Sequence, residues 1–259
     1  MAVHNLLHLP LCNALLPLPN MLLTIDIGNS RTKALVFDKD GRPTGRLITE
    51  RSTPEFIEQL LAAHPHKPIA VASVMHLDDA LLQKLTDRHA LVVDGSTPLP
   101  ISSAYATPST LGVDRICAAV GAHALFPLVP VLAIDMGTCI TYDVVTAQGR
   151  YMGGSISPGL HMRFKALNSF TSKLPLVRPE PIAPAIGTTT EQCIRAGVQQ
   201  GIRMELQGVI AQHSEAYPGL RTVGTGGDLS LFVDDLKTPI FADPILVLRG
   251  LHDILLHNL

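Results

Sequence analysis

Two short segments carry a carboxylate into a glycine turn between apolar runs. In LLTIDIGNSRTKALVFD, residues 22–38, an apolar run reaches Asp26 and Ile27, turns through Gly28, Asn29 and Ser30, and resumes beyond Arg31, Thr32 and Lys33. In VLAIDMGTCITYDVV, residues 131–145, the same order recurs with Asp135, Gly137 and Thr138. A carboxylate at a strand end suits Mg²⁺, which keeps most of its waters and is held by few protein groups plus substrate phosphates. Gly28 permits close backbone approach. Asn29 and Ser30 can donate to phosphate oxygens, and Lys33 adds a point charge. Taken alone, either segment is equally an ordinary hairpin with turn-favouring residues. The repeat changes that balance, because each hairpin is also followed by a Gly-Arg pair, Gly41-Arg42 and Gly149-Arg150. Two such hairpins facing one cleft would clamp a nucleoside triphosphate.

Two further segments add to this pattern. In VGTGGD, residues 223–228, glycines follow a β-branched strand and would let backbone pass close to a flat ligand, although a plain strand-to-helix turn also accounts for them. In LGVDRI, residues 111–116, Asp114 and Arg115 follow Gly112 and Val113 at the start of a predicted helix. The helix dipole favours an Asp there whatever its function, and Arg115 reads equally well as a solvated surface charge. The functional alternative is a carboxylate that accepts or orients a hydroxyl proton during phosphoryl transfer, with Arg115 binding an acidic substrate.

The elements that must position these residues alternate between strand and helix. Strands are predicted over 21–27, 33–37 and 45–49, as an antiparallel meander. A helix over 54–64, the apolar strand 69–74, a helix over 77–85 and a short strand 91–93 complete a mixed sheet faced by helices. Residues 94–110, rich in Pro, Ser and Thr, read as a long loop between lobes. A helix over 113–126 leads into the second hairpin, and Pro158 is expected to open another. The proline-rich 174–187 is an extended connector. It ends where Thr188 and Glu191 have capping-box spacing, ahead of a long helix to about residue 214. A strand at 221–223, a short helix and a final helix capped by Asp243, with Pro244 in its first turn, close the chain.

The 259 residues carry a formal charge of −2, with 16% charged and 46% hydrophobic residues. No basic field is available for nucleic acid or an anionic membrane. The low charged fraction points to an oligomer. The four cysteines, Cys12, Cys117, Cys139 and Cys193, are too scattered for a metal ribbon or redox pair. The leucine-rich leader 1–20 lacks an early Lys or Arg and a cleavage site, so it reads as a disordered or mis-assigned start ahead of Met21. A soluble cytoplasmic protein without a membrane span is expected.

Together, DIGNSRTK, GVDR, DMGT, YMGGSISPGL, GTTT and DPILVLRGL resemble the type III pantothenate kinases, from about Met21 to the C-terminus. That resemblance implies a duplicated actin-like (ribonuclease H-like) α/β fold of two lobes, 21–130 and 131–259, with mixed sheets flanked by helices. It implies transfer of the ATP γ-phosphate to the primary hydroxyl of pantothenate, the first step of coenzyme A synthesis. Mg²⁺ with ATP, a monovalent cation (K⁺ or NH₄⁺) and a homodimer are implied with it. By position, Asp26, Ile27, Gly28, Asn29, Ser30, Arg31, Thr32, Lys33 and Thr138 would bind ATP. Tyr105, Gly112, Val113, Asp114, Arg115 and Thr190 would bind pantothenate. Asp114 would accept the proton and Asp135 would bind the monovalent cation. Ser30 and Val113 depart from the Thr and Ala that many members carry. Two alternatives to this kinase are a regulatory protein on the same fold and a kinase or phosphatase for another small molecule, such as a sugar or polyphosphate.

Overall fold

The computed structural model describes residues 21–259 except 30, 66, 182 and 237. The leader 1–20, with Cys12, and Ser30 of the first turn therefore lie outside the described residues.

The duplication is visible in the strand order. Strands β1 (Met21–Ile27), β2 (Arg31–Asp38), β3 (Pro43–Arg51), β4 (Ile69–Ser73) and β5 (Leu91–Val92) form one sheet in the order β3-β2-β1-β4-β5. In the second sheet, β7 (Val131–Met136), β8 (Cys139–Val145), β9 (Arg150–Pro158), β10 (Arg221–Thr225) and β11 (Phe241–Ala242) repeat that order as β9-β8-β7-β10-β11. The short β6 (Ser102–Ser103) is added in parallel at the edge of β9. Both Gly-Arg pairs make the same turn. Gly41 and Gly149 adopt φ of 76° and 70°, a region that costs glycine little. Each donates its N–H three residues back, to Asp38 and to Thr146.

Between the sheets lie α3 (Val113–Leu125) and α7 (Leu246–His257), packed against each other. Helix α7 also packs on β1 and β4, while α3 packs on β7 and β8. One apolar cluster, including Leu22, Phe37, Ala118, Val131 and Leu251, fills this central layer. The outer face of the first sheet is covered by α1 (Pro54–Ala63) and α2 (Asp79–Asp87). The outer face of the second is covered by α4 (Leu160–Ser169), α5 (Thr190–Arg195) and α6 (Gly201–Ala216).

The central helix pair touches backbone to backbone. A β-carbon on Gly250 would stand 1.8 Å from the Cys117 carbonyl oxygen, and one on Gly121 would stand 2.5 Å from that of Leu246. Only glycine fits at either crossing.

Several local expectations are corrected. Strand β9 was not expected, since Gly153, Gly154, Ser155 and Ser157 have no strand-like apolar alternation; pairing with β8 makes it, and a β-carbon at Gly154 would collide with the Tyr142 carbonyl. Pro158 ends that strand, and Gly159 caps α4. The cap of α5 is Thr189, which accepts from the Gln192 N–H, rather than Thr188 with Glu191. The long helix that follows is α5, a π-helical turn over Ala196–Gln200, and α6. Helix α7 begins at Leu246, after Asp243 accepts from the Ile245 N–H and from Arg249 Nε.

Replacing Gly250 with Ala is expected to lower the unfolding free energy by about 1–3 kcal/mol, the usual cost of overpacking. Urea denaturation reads this, and an unchanged midpoint and slope would show that the two helices are not in backbone contact.

Candidate active site

Alternation along the strands collects the chemistry on one face. In β1, Leu22 faces the central helix layer while Leu23, Ile25 and Ile27 face outward, so Asp26 shares the inward side with Leu22 and Thr24. In β7, Val131 and Ala133 face inward and Leu132, Ile134 and Met136 outward, so Asp135 also points inward. Lys33 lies directly across from Asp26 in the β1–β2 register, on the inward face of β2 with Leu35 and Phe37. The sheets thus turn from apolar to ionic at the ends of β1 and β7.

Asp114 enters from the central layer, in the first turn of α3, which has Gly112 as its cap. Asp26, Asp114 and Asp135 interact electrostatically with one another, and Lys33 acts on both Asp26 and Asp135. The two strand carboxylates are recessed yet keep some solvent access. Burial raises Asp26 to about 7, an effect that Lys33 opposes and Asp135 and Asp114 reinforce. Asp135 is raised to about 6, again chiefly by burial, with Lys33 opposing. Neither carboxylate accepts a hydrogen bond among the described residues.

Tight turns bring backbone to this recess. In the first hairpin the Gly28 N–H donates to the Arg31 carbonyl, and in the second the Gly137 N–H donates to that of Cys139. The first turn is one residue longer, since Ile27 pairs with Thr32 but Met136 pairs with Ile140. It is braced by Ser52, whose hydroxyl donates to the Gly28 carbonyl and accepts from Thr32 Oγ1. Asn29, Arg31 and Thr138 are exposed at the turns, whereas Ile27 and Thr32 are buried beneath theirs. The GTGGD segment lies against the second hairpin: Gly226 has φ of 98°, a β-carbon there would collide with Met136 backbone, and the Asp228 N–H donates to the Met136 carbonyl.

Beside Asp114, Arg115 is buried. It is no solvated surface charge: its Nε and Nη2 donate to Asp143 of β8 at 3.1 and 2.7 Å, and the Tyr151 hydroxyl donates to the same carboxylate at 2.7 Å. Burial alone would lower the guanidinium pKa, but Asp143 outweighs it and holds Arg115 protonated. Tyr105, from the long loop, places its ring centroid 5.9 Å from Arg115 Cζ and 6.0 Å from that of Tyr151. Val113 packs into the central apolar cluster. Thr190 is exposed at the start of α5 and makes no hydrogen bond with any of these groups.

The fold thus gathers Asp26, Lys33, Asp114 and Asp135, with Tyr105 and Arg115 alongside, and leaves Thr190 outside that cluster. Three participants went unnoticed in the sequence. Asp143 has a visible signal, a charge inside the apolar run ITYDVV; Tyr151 and Ser52 have none.

The family model for type III pantothenate kinase matches residues 22–212. The chain belongs to the type III pantothenate kinase family. A type III pantothenate kinase of Bacteroides fragilis is 44% identical over 240 residues, covering 92% of this chain and 98% of the relative. One from Christiangramia forsetii is 40% identical, with 92% and 99% covered. Among solved structures, a Baf-family protein of Campylobacter jejuni superposes with a TM-score of 0.61 at 22% identity, covering 92% of this chain and 98% of that one. A polyphosphate/ATP-glucomannokinase of Arthrobacter does so at 0.51 and 16%, covering 93% and 100%. These likenesses show the fold alone, the duplicated actin-like one.

A cation fits the donors present. Asp26 and Asp135, recessed carboxylates that accept no hydrogen bond among the described residues, are hard oxygen ligands. Among the described residues no group of three or more His, Cys, Asp or Glu side chains could hold a metal ion by itself. An ion here would be held by few protein groups, with waters and phosphates completing its shell.

Because the folded pKa values of Asp26 and Asp135 lie above the ordinary value, the folded chain binds more protons than the unfolded one between about pH 4 and 7. These two groups therefore make stability fall as pH rises through that window, with no further change above it. Asp26→Asn is expected to melt at a higher temperature than the parent at about pH 7.5 without added cations, and to lose that advantage near about pH 4. Equal melting temperatures at the higher pH would contradict the burial assigned to Asp26.

Proposed function

We propose that this protein phosphorylates pantothenate to 4'-phosphopantothenate with ATP, opening coenzyme A synthesis. The observation that supports this most is the convergence of Asp26, Asp114 and Asp135, from two duplicated hairpins and the helix between them, around Lys33. In this reading Asp26 through Lys33, with Ile27, Gly28, Asn29, Ser30, Arg31 and Thr32, and Thr138 opposite, hold the ATP phosphates. Lobes 21–130 and 131–259 close over the nucleotide. Tyr105, Gly112, Val113, Asp114, Arg115 and Thr190 receive pantothenate, with Arg115 at its carboxylate end.

Phosphoryl transfer asks the protein mainly for positioning and charge stabilisation. Asp114 orients the primary hydroxyl and takes its proton as the oxygen bonds to the γ-phosphorus and the bond to the β–γ bridging oxygen breaks, releasing ADP. Lys33 holds positive charge beside the phosphates. Mg²⁺ carried with ATP, and K⁺ or NH₄⁺ at Asp135, would supply the remaining neutralisation. The glycine turns bring N–H groups to the phosphates without side chains in the way.

The same reading makes the protein a cytoplasmic homodimer. Gly197, Gly201 and Gly208 line the long C-terminal-lobe helix with open space where a β-carbon would be, and Met204 among them is 69% exposed. Such a face suits close packing with a second copy. Among the described residues no helix is long and apolar enough to cross a membrane.

Asp114→Asn keeps the shape of the side chain and removes its basicity, so it is expected to lower kcat by about 100-fold or more while folding and assembling as the parent does. A coupled assay of pantothenate-dependent ADP release measures this, and near-parental turnover would remove Asp114 from the proton transfer.

A further inference from the structure

The ion pair behind the candidate site has a function that the phosphate chemistry does not use. Arg115 and Asp143 are 6% and 1% exposed, and they join α3 to β8 across the central layer. Three hydrogen bonds link them, from Nε to both carboxylate oxygens and from Nη2 to Oδ1, and the Tyr151 hydroxyl from β9 adds another to Oδ1. A pair this deep is a poor source of stability, because desolvating both charges offsets much of their attraction. What it does supply is a fixed orientation, since a bidentate guanidinium cannot swivel. The Tyr105 ring lies 5.9 Å from Cζ and 6.0 Å from the Tyr151 ring, and Tyr105 is itself packed near Gly153, where a β-carbon would come within 3.5 Å of its ring. Nη1 donates to no carboxylate or carbonyl among the described residues, and the Tyr105 side chain also hydrogen-bonds the guanidinium. Arg115 follows Asp114 in the first turn of α3, and its backbone N–H donates to Asp114 Oδ1 at 2.8 Å, so both side chains are held.

We propose that Asp143, assisted by the Tyr151 hydroxyl, is a positioning residue of the acceptor subsite, holding Arg115 so that Nη1 meets the carboxylate of the acid while Asp114 meets its hydroxyl. This rests on the pantothenate reading of the site. Asp143 touches neither nucleotide nor acceptor and acts through Arg115, so its loss shows in the Michaelis constant of one substrate only. The role differs from simple support of the fold, which would lower activity and stability toward both substrates together.

Steady-state kinetics of Tyr151→Phe and Asp143→Asn, with melting temperatures, test this. Tyr151→Phe is expected to fold as the parent does and to raise KM for pantothenate by about threefold, with KM for ATP unchanged. Asp143→Asn is expected to raise KM for pantothenate by about tenfold or more, with KM for ATP within about twofold. If Asp143→Asn fails to fold, Tyr151→Phe decides by itself. Unmoved KM values for pantothenate in the folded variants of an active parent overturn this inference alone, as does a fall in kcat and melting temperature with no split between the substrates. A parent that turns over no pantothenate overturns the reading beneath it and this inference together.

Discussion

The rest of the molecule depends on how closely α3 approaches α7. Each helix follows its own half of the duplicated strand pattern and then packs in the layer between both sheets, so the crossing at Gly121 and Gly250 sets the distance from one sheet to the other. Asp114 lies less than two helical turns from Gly121 on the same α3. A side chain at the crossing would push the helices apart by a visible fraction of an interhelical spacing, and would carry Asp114 away from the strand ends that hold Asp26 and Asp135. In the proposed mechanism, close packing of the two glycines is therefore as much part of the geometry as the carboxylates.

The second constraint is electrostatic. Three carboxylates in one recess repel, and burial adds to the difficulty of ionising two of them. Lys33 relieves part of this, yet one ammonium cannot balance three negative groups. In the proposed reading this surplus favours cations, so a metal-carrying polyphosphate would gain more in the recess than on an open surface.

Much of this was legible in the sequence, for particular reasons. The hairpins announce themselves because Asp26 and Asp135 interrupt apolar runs at equivalent places, and the Gly41 and Gly149 turns recur as they do because both need left-handed backbone. Strand β9 was not legible, since glycine and serine carry no alternation and only the neighbouring strand makes them extended. The two-residue strands β6 and β11 are too short to leave a period. The cap of α5 was displaced by one residue because three consecutive threonines offer equivalent hydroxyls, and Gln192, rather than Glu191, reaches back to Thr188. Arg115 was ambiguous because its partner lies 28 positions away on strand β8, which no local pattern reveals. What remains for the sequence alone is the identity of the acceptor, carried by GVDR and its family.

The most direct measurement is turnover by the unmodified protein in a coupled assay with ATP and Mg²⁺, with pantothenate and K⁺ each present or omitted. ADP release that requires pantothenate and rises with K⁺ is the predicted result. Absence of pantothenate-dependent ADP release with K⁺ present would contradict a kinase site at Asp26, Asp114 and Asp135.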